Sequence, residues 1–148
     1  MSIQPEIRCE FKSKDLILRL DTTLVCDTGA IDSLIDEVMV AVTDTGCAAG
    51  KEFQVRLAME EALINAIEHG CGGDPTKEIQ CSVCCDEERG MLIVIRDPGP
   101  GFDPASIPSP VIGENLFKTR GRGIYLINEL VDEVRFERGG TEIHMRID

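Results

Sequence analysis

Between Asp97 and Gly123 the chain carries five prolines (Pro98, Pro100, Pro104, Pro108, Pro110) and five glycines (Gly99, Gly101, Gly113, Gly121, Gly123), and every regular hydrophobic period disappears. Structureless connections beyond about 12–15 residues are uncommon inside compact domains and are usually functional, so this stretch reads as a lid over a site. The flanking segments must then build the core. Upstream, Ile7 to Leu20 reads as two strands around the break Lys12-Ser13-Lys14-Asp15, with Leu16, Leu18 and Leu20 on one face. Asp27 or Thr28 caps a helix whose apolar residues Ile31, Leu34, Ile35, Val38, Met39 and Val42 recur at three and four, ending near Gly46. A second helix, Lys51 to His69, is closed by Gly70-Cys71-Gly72-Gly73-Asp74-Pro75. Strands near Glu78–Cys85 and Met91–Asp97 form a hairpin. Downstream of the lid, Gly123–Val131 reads as a short helix, and strands Glu133–Glu137 and Thr141–Ile147 turn through Arg138-Gly139-Gly140. With no internal repeat or linker, residues 1–148 are expected to form one α/β domain, a sheet covered on one face by helices.

Charge narrows the function. Lys and Arg number 15 against 27 Asp and Glu, a formal net charge of −12 that repels phosphate backbones and anionic lipid. Neither direct nucleic-acid binding nor membrane-surface binding is expected, and an anionic ligand needs a local site. No apolar run approaches the roughly 18–20 residues of a membrane span, and Met1-Ser2-Ile3-Gln4-Pro5-Glu6 lacks the pattern of an export signal, so the expected location is the cytoplasm.

Seven cysteines invite a zinc or disulfide reading, since Cys81-Ser82-Val83-Cys84-Cys85 contains C-x-x-C. The alternation of Ile79, Cys81, Val83 and Cys85 against Gln80, Ser82, Cys84 and Asp86 puts Cys81 and Cys84 on opposite faces of a strand, where they cannot share a metal. No second motif completes a four-ligand set, and an odd count in a reducing compartment argues against a disulfide framework. Plain thiols are expected.

Three constellations carry chemistry. On the second helix, Glu61, Asn65 and His69 fall on one line at about 100° per residue, between Leu57 and Ile64 on one side and Ala58 and Ala62 on the other. A solvated face would explain a charge-rich helix, but the apolar flanks place a carboxylate and an amide where they need a partner, and oxygen ligands one turn apart suit Mg²⁺ with its water and phosphate. Asp97-Pro98-Gly99-Pro100-Gly101-Phe102 follows the strand Leu92–Ile95. It reads either as a proline-glycine turn or as an acceptor for an exocyclic amine beside glycines that admit a flat ring. Thr119-Arg120-Gly121-Arg122-Gly123 opens a helix, either as an ordinary turn into it or as a phosphate site made of free N–H groups and two arginines.

In order, E-x-x-x-N on a helix, D-x-G-x-G after a strand and G-x-G opening a later helix resemble the N box and the two glycine boxes of the GHKL ATPases, the superfamily of DNA gyrase, histidine kinases and MutL. Asn65-Ala66-Ile67-Glu68-His69-Gly70, Asp97 to Phe102 and Gly121 to Ile127 are most similar to the small anti-sigma factor serine kinases. The resemblance runs from about Lys51 to Ile147 and implies a two-layer α/β sandwich of Bergerat type, with a mixed, mostly antiparallel sheet and an ATP lid. It implies ATP and Mg²⁺ as cofactors, Asn65 as the metal ligand and Glu61 as the general base. His69 would lie at the cofactor, Asp97 would receive the adenine amino group with Gly99 and Gly101 beside the ring and Thr141 in support, and Arg120, Gly121, Arg122 and Gly123 would approach the phosphates. The activity implied is a serine/threonine protein kinase that phosphorylates a small antagonist of STAS type and regulates a sigma factor by partner switching, as a homodimer. The alternative is a nucleotide-gated protein switch with little chemistry. The ATP-binding half of a histidine kinase fits poorly, because His69 and His144 are the only histidines and neither sits on a dimerising helix pair. A gyrase-type machine needs further domains.

Overall fold

The computed structural model describes residues 16–101 and 119–148, with the backbone alone for 119–123. Among the described residues, five strands form one sheet in the order β1-β2-β3-β5-β4. They are β1 (Leu16–Val25), β2 (Glu78–Asp86), β3 (Gly90–Arg96), β4 (Glu133–Glu137) and β5 (Glu142–Ile147), and each pairing among the described residues is antiparallel. The helices α1 (Thr28–Thr45), α2 (Glu52–Asn65) and α3 (Thr119–Leu130) accompany them.

Helix α1 begins where the sequence predicts. The Asp27 carboxylate accepts a hydrogen bond from the Ala30 N–H, satisfying one of the free donors of the first turn. The helix stops at Gly46, whose φ of 74° is a left-handed conformation that side-chain-bearing residues resist, and whose N–H returns to the Val42 carbonyl. Between these caps Ile31, Leu34, Ile35, Val38 and Val42 are buried.

The helical residues join Ile79, Cys81, Val83 and Cys85 of β2, Met91, Ile93 and Ile95 of β3, and Ile143, Met145 and Ile147 of β5 in one core. The helices therefore cover one face of the sheet. Cys84, Leu92 and Val94 form a smaller cluster on the other face, so Cys81 and Cys84 do point apart as strand alternation requires.

The expectation of plain thiols fails. Cys26 is bonded to Cys71 and Cys47 to Cys85, Cys84 is disulfide-bonded as well, and Cys81 is the free cysteine among the described residues. The bridged pairs are 45 and 38 residues apart. Spacing along the chain does not show such partners; they meet because the sheet folds the helix ends onto β1 and β2.

Other boundaries shift. The first strand expected near Ile7 lies outside the described residues, and its partner runs five residues past Leu20, to Val25. The second helix is regular to Asn65 and then widens into a π turn, Ala66–Cys71. Helix α3 starts at Thr119, earlier than the glycines suggested, because α3 packs against α2 and buries Ile124 and Ile127. That packing outweighs the helix penalty of about 1 kcal/mol for each glycine.

Candidate functional site

Where α2, the ends of β3 and β5, and α3 meet, a cleft opens, lined by Ala62, Asn65, Ala66, Ile95, Asp97, Ile124, Phe136, Gly140, Thr141 and Ile143. Apolar side chains make the walls, and Asn65, Asp97 and Thr141 supply the polar side chains.

Asp97 is the first residue after β3 and is held on three sides. Its N–H donates to the Thr141 carbonyl at 2.8 Å, and its Oδ1 accepts the Gly99 N–H at 2.8 Å. Its side chain packs on the backbone of Gly70, where a Cβ would stand 2.5 Å from Asp97 Cβ and Cγ. A carboxylate can accept several hydrogen bonds at its two oxygens. Thr141 sits one residue before β5, at the end of the short 3₁₀ turn Arg138–Gly140, and its hydroxyl donates to the Arg138 carbonyl at 2.9 Å. The hydroxyl oxygen remains able to accept.

The glycines of the D-x-G-x-G segment are small for reasons internal to the protein. A Cβ on Gly99 would lie 2.6 Å from the Gly70 Cα, and Gly101, at φ 80°, faces the Gly139 carbonyl so closely that a side chain would collide with it. Both close the loop after β3 onto its neighbours, which fixes the floor of the cleft.

Glu61 precedes Asn65 by one helical turn, as expected, but it is half-buried and is not among the residues lining the cleft. The π turn takes His69 off the line of Glu61 and Asn65, because i→i+5 bonding adds residues to each turn. The His69 Nε2 lies 3.9 Å from the Glu68 carboxylate. Arg120, Gly121, Arg122 and Gly123 lie in the first turns of α3, where backbone N–H groups lack intrahelical acceptors; their side chains are outside the described residues.

On the opposite face of the same strand ends lies a buried charge network. Arg96 Nε donates to Glu142 Oε2 at 2.7 Å, and Glu142 Oε1 lies 2.7 Å from His144 Nε2. Arg135 approaches His144 Nδ1 at 3.3 Å. Arginine only donates, so Nδ1 accepts and the ring proton on Nε2 points to Glu142. Burial raises the Glu142 carboxyl, but the hydrogen bonds from Arg96 and His144 outweigh it and hold the group below the usual glutamate range. The network joins β3 and β5 immediately beside Asp97 and Thr141.

Sequence reasoning missed the roles of Gly70, Ile95, Ile124, Phe136, Gly140 and Ile143. The apolar ones follow the same period as the core, so nothing local separates a pocket wall from packing. Gly70 looked like a helix stop, and its contact with Asp97 is visible only in three dimensions.

The family model of the histidine kinase-like ATPase domain matches residues 25–147. This chain belongs to that family. Among curated relatives, the serine-protein kinase RsbW of Bacillus licheniformis is 30% identical over 89 residues, 56% of this chain and 55% of its own length. The anti-sigma F factor of Bacillus cytotoxicus is 33% identical over 98 residues, 62% of this chain and 66% of its own length. The chain thus spans a little over half of the first and just under two thirds of the second. The resemblance read from the N box and glycine boxes is borne out, as is the two-layer α/β architecture. Membership in this family implies ATP binding. No helix among the described residues is long and apolar enough to cross a membrane.

Proposed function

We propose that this histidine kinase-like ATPase domain is an Mg·ATP-dependent serine/threonine protein kinase of the anti-sigma factor type. It phosphorylates a small antagonist of STAS type and regulates a sigma factor by partner switching, acting as a homodimeric, cytoplasmic protein. The observation that carries the reading is the convergence of Asn65, Asp97 and Thr141 on one cleft. ATP, when bound, supplies the transferable phosphoryl group. Asp97 accepts a hydrogen bond from the adenine amine, with Thr141 in support. The side-chain oxygen of Asn65 is the protein ligand for Mg²⁺, an ion that takes one or two protein oxygens and fills its shell with water and phosphate. Among the described residues no group of three or more His, Cys, Asp or Glu is placed to hold a metal ion. His69 and the Arg120–Gly123 segment serve the phosphate end. Glu61 takes the proton from the acceptor hydroxyl.

Incubating the purified chain with labelled ATP and a candidate STAS-type antagonist tests the proposal. Label transferred to a serine or threonine supports it. The half-buried position of Glu61, outside the residues lining the cleft, favours a second reading in which ATP sets partner affinity without efficient transfer. ATP-dependent partner binding with no label transferred would select that reading.

A further inference from the structure

Cys71 ends the π turn of α2 and directly follows Gly70, the residue packed on Asp97. Cys26 follows β1, and the bridge between them runs beside a string of single backbone hydrogen bonds. Asp74 donates to the Cys71 carbonyl at 3.1 Å, Lys77 to the Asp74 carbonyl at 3.3 Å, and Cys26 to the Lys77 carbonyl at 3.2 Å. The disulfide closes that ring covalently. Without it, the π turn is held to the sheet edge by the core packing of Ala66, Cys71 and Cys26 and by the hydrogen bonds of an exposed loop, which open readily.

The two fully described bridges differ in access. Cys47 and Cys85 are each 2% exposed and Cys71 is 1% exposed, whereas Cys26 is half-buried beside the exposed Val25. A thiolate attacks the sulfur it can reach. The free Cys81 is 2% exposed and burial pushes its thiol up to about 12, so it does not compete.

We propose that Cys26–Cys71 is a reversible redox site that controls the cleft, opened by a dithiol reductant. The inference rests on reading the cleft as the nucleotide site. A reductant thiolate attacks Cys26 Sγ, forming a mixed disulfide and expelling Cys71 as a thiolate. The second thiol of the reductant then attacks its own sulfur in the mixed bond and releases Cys26. Two electrons and two protons pass to the cysteines, and the reductant leaves as its disulfide. Gly70 is then free to move off Asp97, and the acceptor for the base loses its fixed position. In reducing compartments disulfides are usually transient and often sense redox state, which suits a bridge placed beside a binding site.

The test treats the purified chain with graded dithiothreitol, traps thiols with iodoacetamide for peptide mapping, and measures ATP affinity and amide exchange in both states. Cys26 and Cys71 should be alkylated before Cys47 and Cys85. Reduction should weaken ATP binding at least about fivefold, the lower edge of ordinary coupling between sites. Exchange should quicken at the Asp97 and Gly99 amides, which donate to Thr141 and Asp97. Cys26→Ser should show the reduced affinity with or without dithiothreitol. Alkylation of Cys47 and Cys85 first, or equal affinity after Cys26 and Cys71 have opened, overturns the proposal. Failure of the nucleotide reading looks different, because the oxidised chain then binds no ATP. Exchange at Asp97 and Gly99 decides the rest, and if it is unchanged on reduction the bridge has no hold on the cleft.

Discussion

Gly70 touches Asp97 across the gap between the π turn and the end of β3, with room for a hydrogen but not a methyl group: a Cβ at position 70 would stand 2.5 Å from Asp97 Cβ and Cγ. Gly99 completes the contact from the far side, since its own Cβ would meet the Gly70 backbone at 2.6–2.8 Å. The carboxylate at the cleft floor is therefore positioned by backbone packing as well as by hydrogen bonds.

Gly70→Ala should displace Asp97 while leaving the core intact. Overpacking costs about 1–3 kcal/mol. We expect a loss of stability in that range by urea unfolding, together with at least about a tenfold loss of ATP affinity by calorimetry, or about 1.4 kcal/mol. Parental affinity in this variant would show that the contact does not set the site.

Asp97→Asn separates charge from shape. The amide oxygen can still accept the Gly99 N–H, and the backbone bond to Thr141 is untouched. Losing a charge-assisted hydrogen bond costs about 1.5–3 kcal/mol, roughly ten- to more than a hundred-fold in affinity. Unfolding curves should nearly superimpose while ATP binding weakens; an unchanged ATP titration removes Asp97 from the adenine site.

Elements whose signals are local were legible in the sequence. The caps Asp27 and Gly46 bracket an uninterrupted three-and-four pattern, and the alternation from Ile79 to Cys85 gave both the strand and its faces. What could not be read depends on contacts between distant segments. The π turn after Asn65 accompanies the close packing of Gly70 on Asp97, whose partners are 27 positions apart in the numbering. The disulfides depend on the sheet, and α3 tolerates its glycines because α2 covers it. Part of the candidate site was legible, because Asn65 and Asp97 stand at element ends and line the cleft. Its walls were not, since Ile95 and Ile143 obey the same alternation as any core residue.

Glu142 should give the fold an acid-sensitive component. A carboxyl held below its ordinary value of 4.5 contributes its full stabilisation above that pH and loses it as the pH falls through the lower, folded-state value. The groups facing it are Arg96, His144 and, through His144, Arg135. Removing one partner of a buried pair costs about 3–5 kcal/mol, and Glu142→Gln, which keeps an acceptor for Arg96, should fall toward the lower end. Urea unfolding at neutral pH should show this gap, and the gap should narrow as the pH drops below 4.5. A constant gap across that range would mean that the charge of Glu142 does not stabilise the fold.

Glu61 and Asn65 stand one turn apart on the regular part of α2, before the helix widens, and the proposed chemistry assigns them different tasks. Phosphoryl transfer relies mainly on positioning and charge neutralisation, yet a serine hydroxyl must still lose its proton, and a placed base contributes roughly 10²–10⁴-fold. Glu61→Gln keeps the side-chain size, and because Glu61 does not line the cleft, the walls and floor are undisturbed. Mg·ATP should bind nearly as tightly as to the parent, while transfer to the antagonist slows at least about a hundred-fold. Asn65→Ala removes a residue that does line the cleft and should abolish the dependence of ATP affinity on Mg²⁺. The two variants therefore differ in which measurement fails: single-turnover transfer for Glu61, metal-dependent titration for Asn65. Transfer at the parental rate by Glu61→Gln would remove Glu61 as the base. Retained Mg²⁺ dependence in Asn65→Ala would place the metal on other groups.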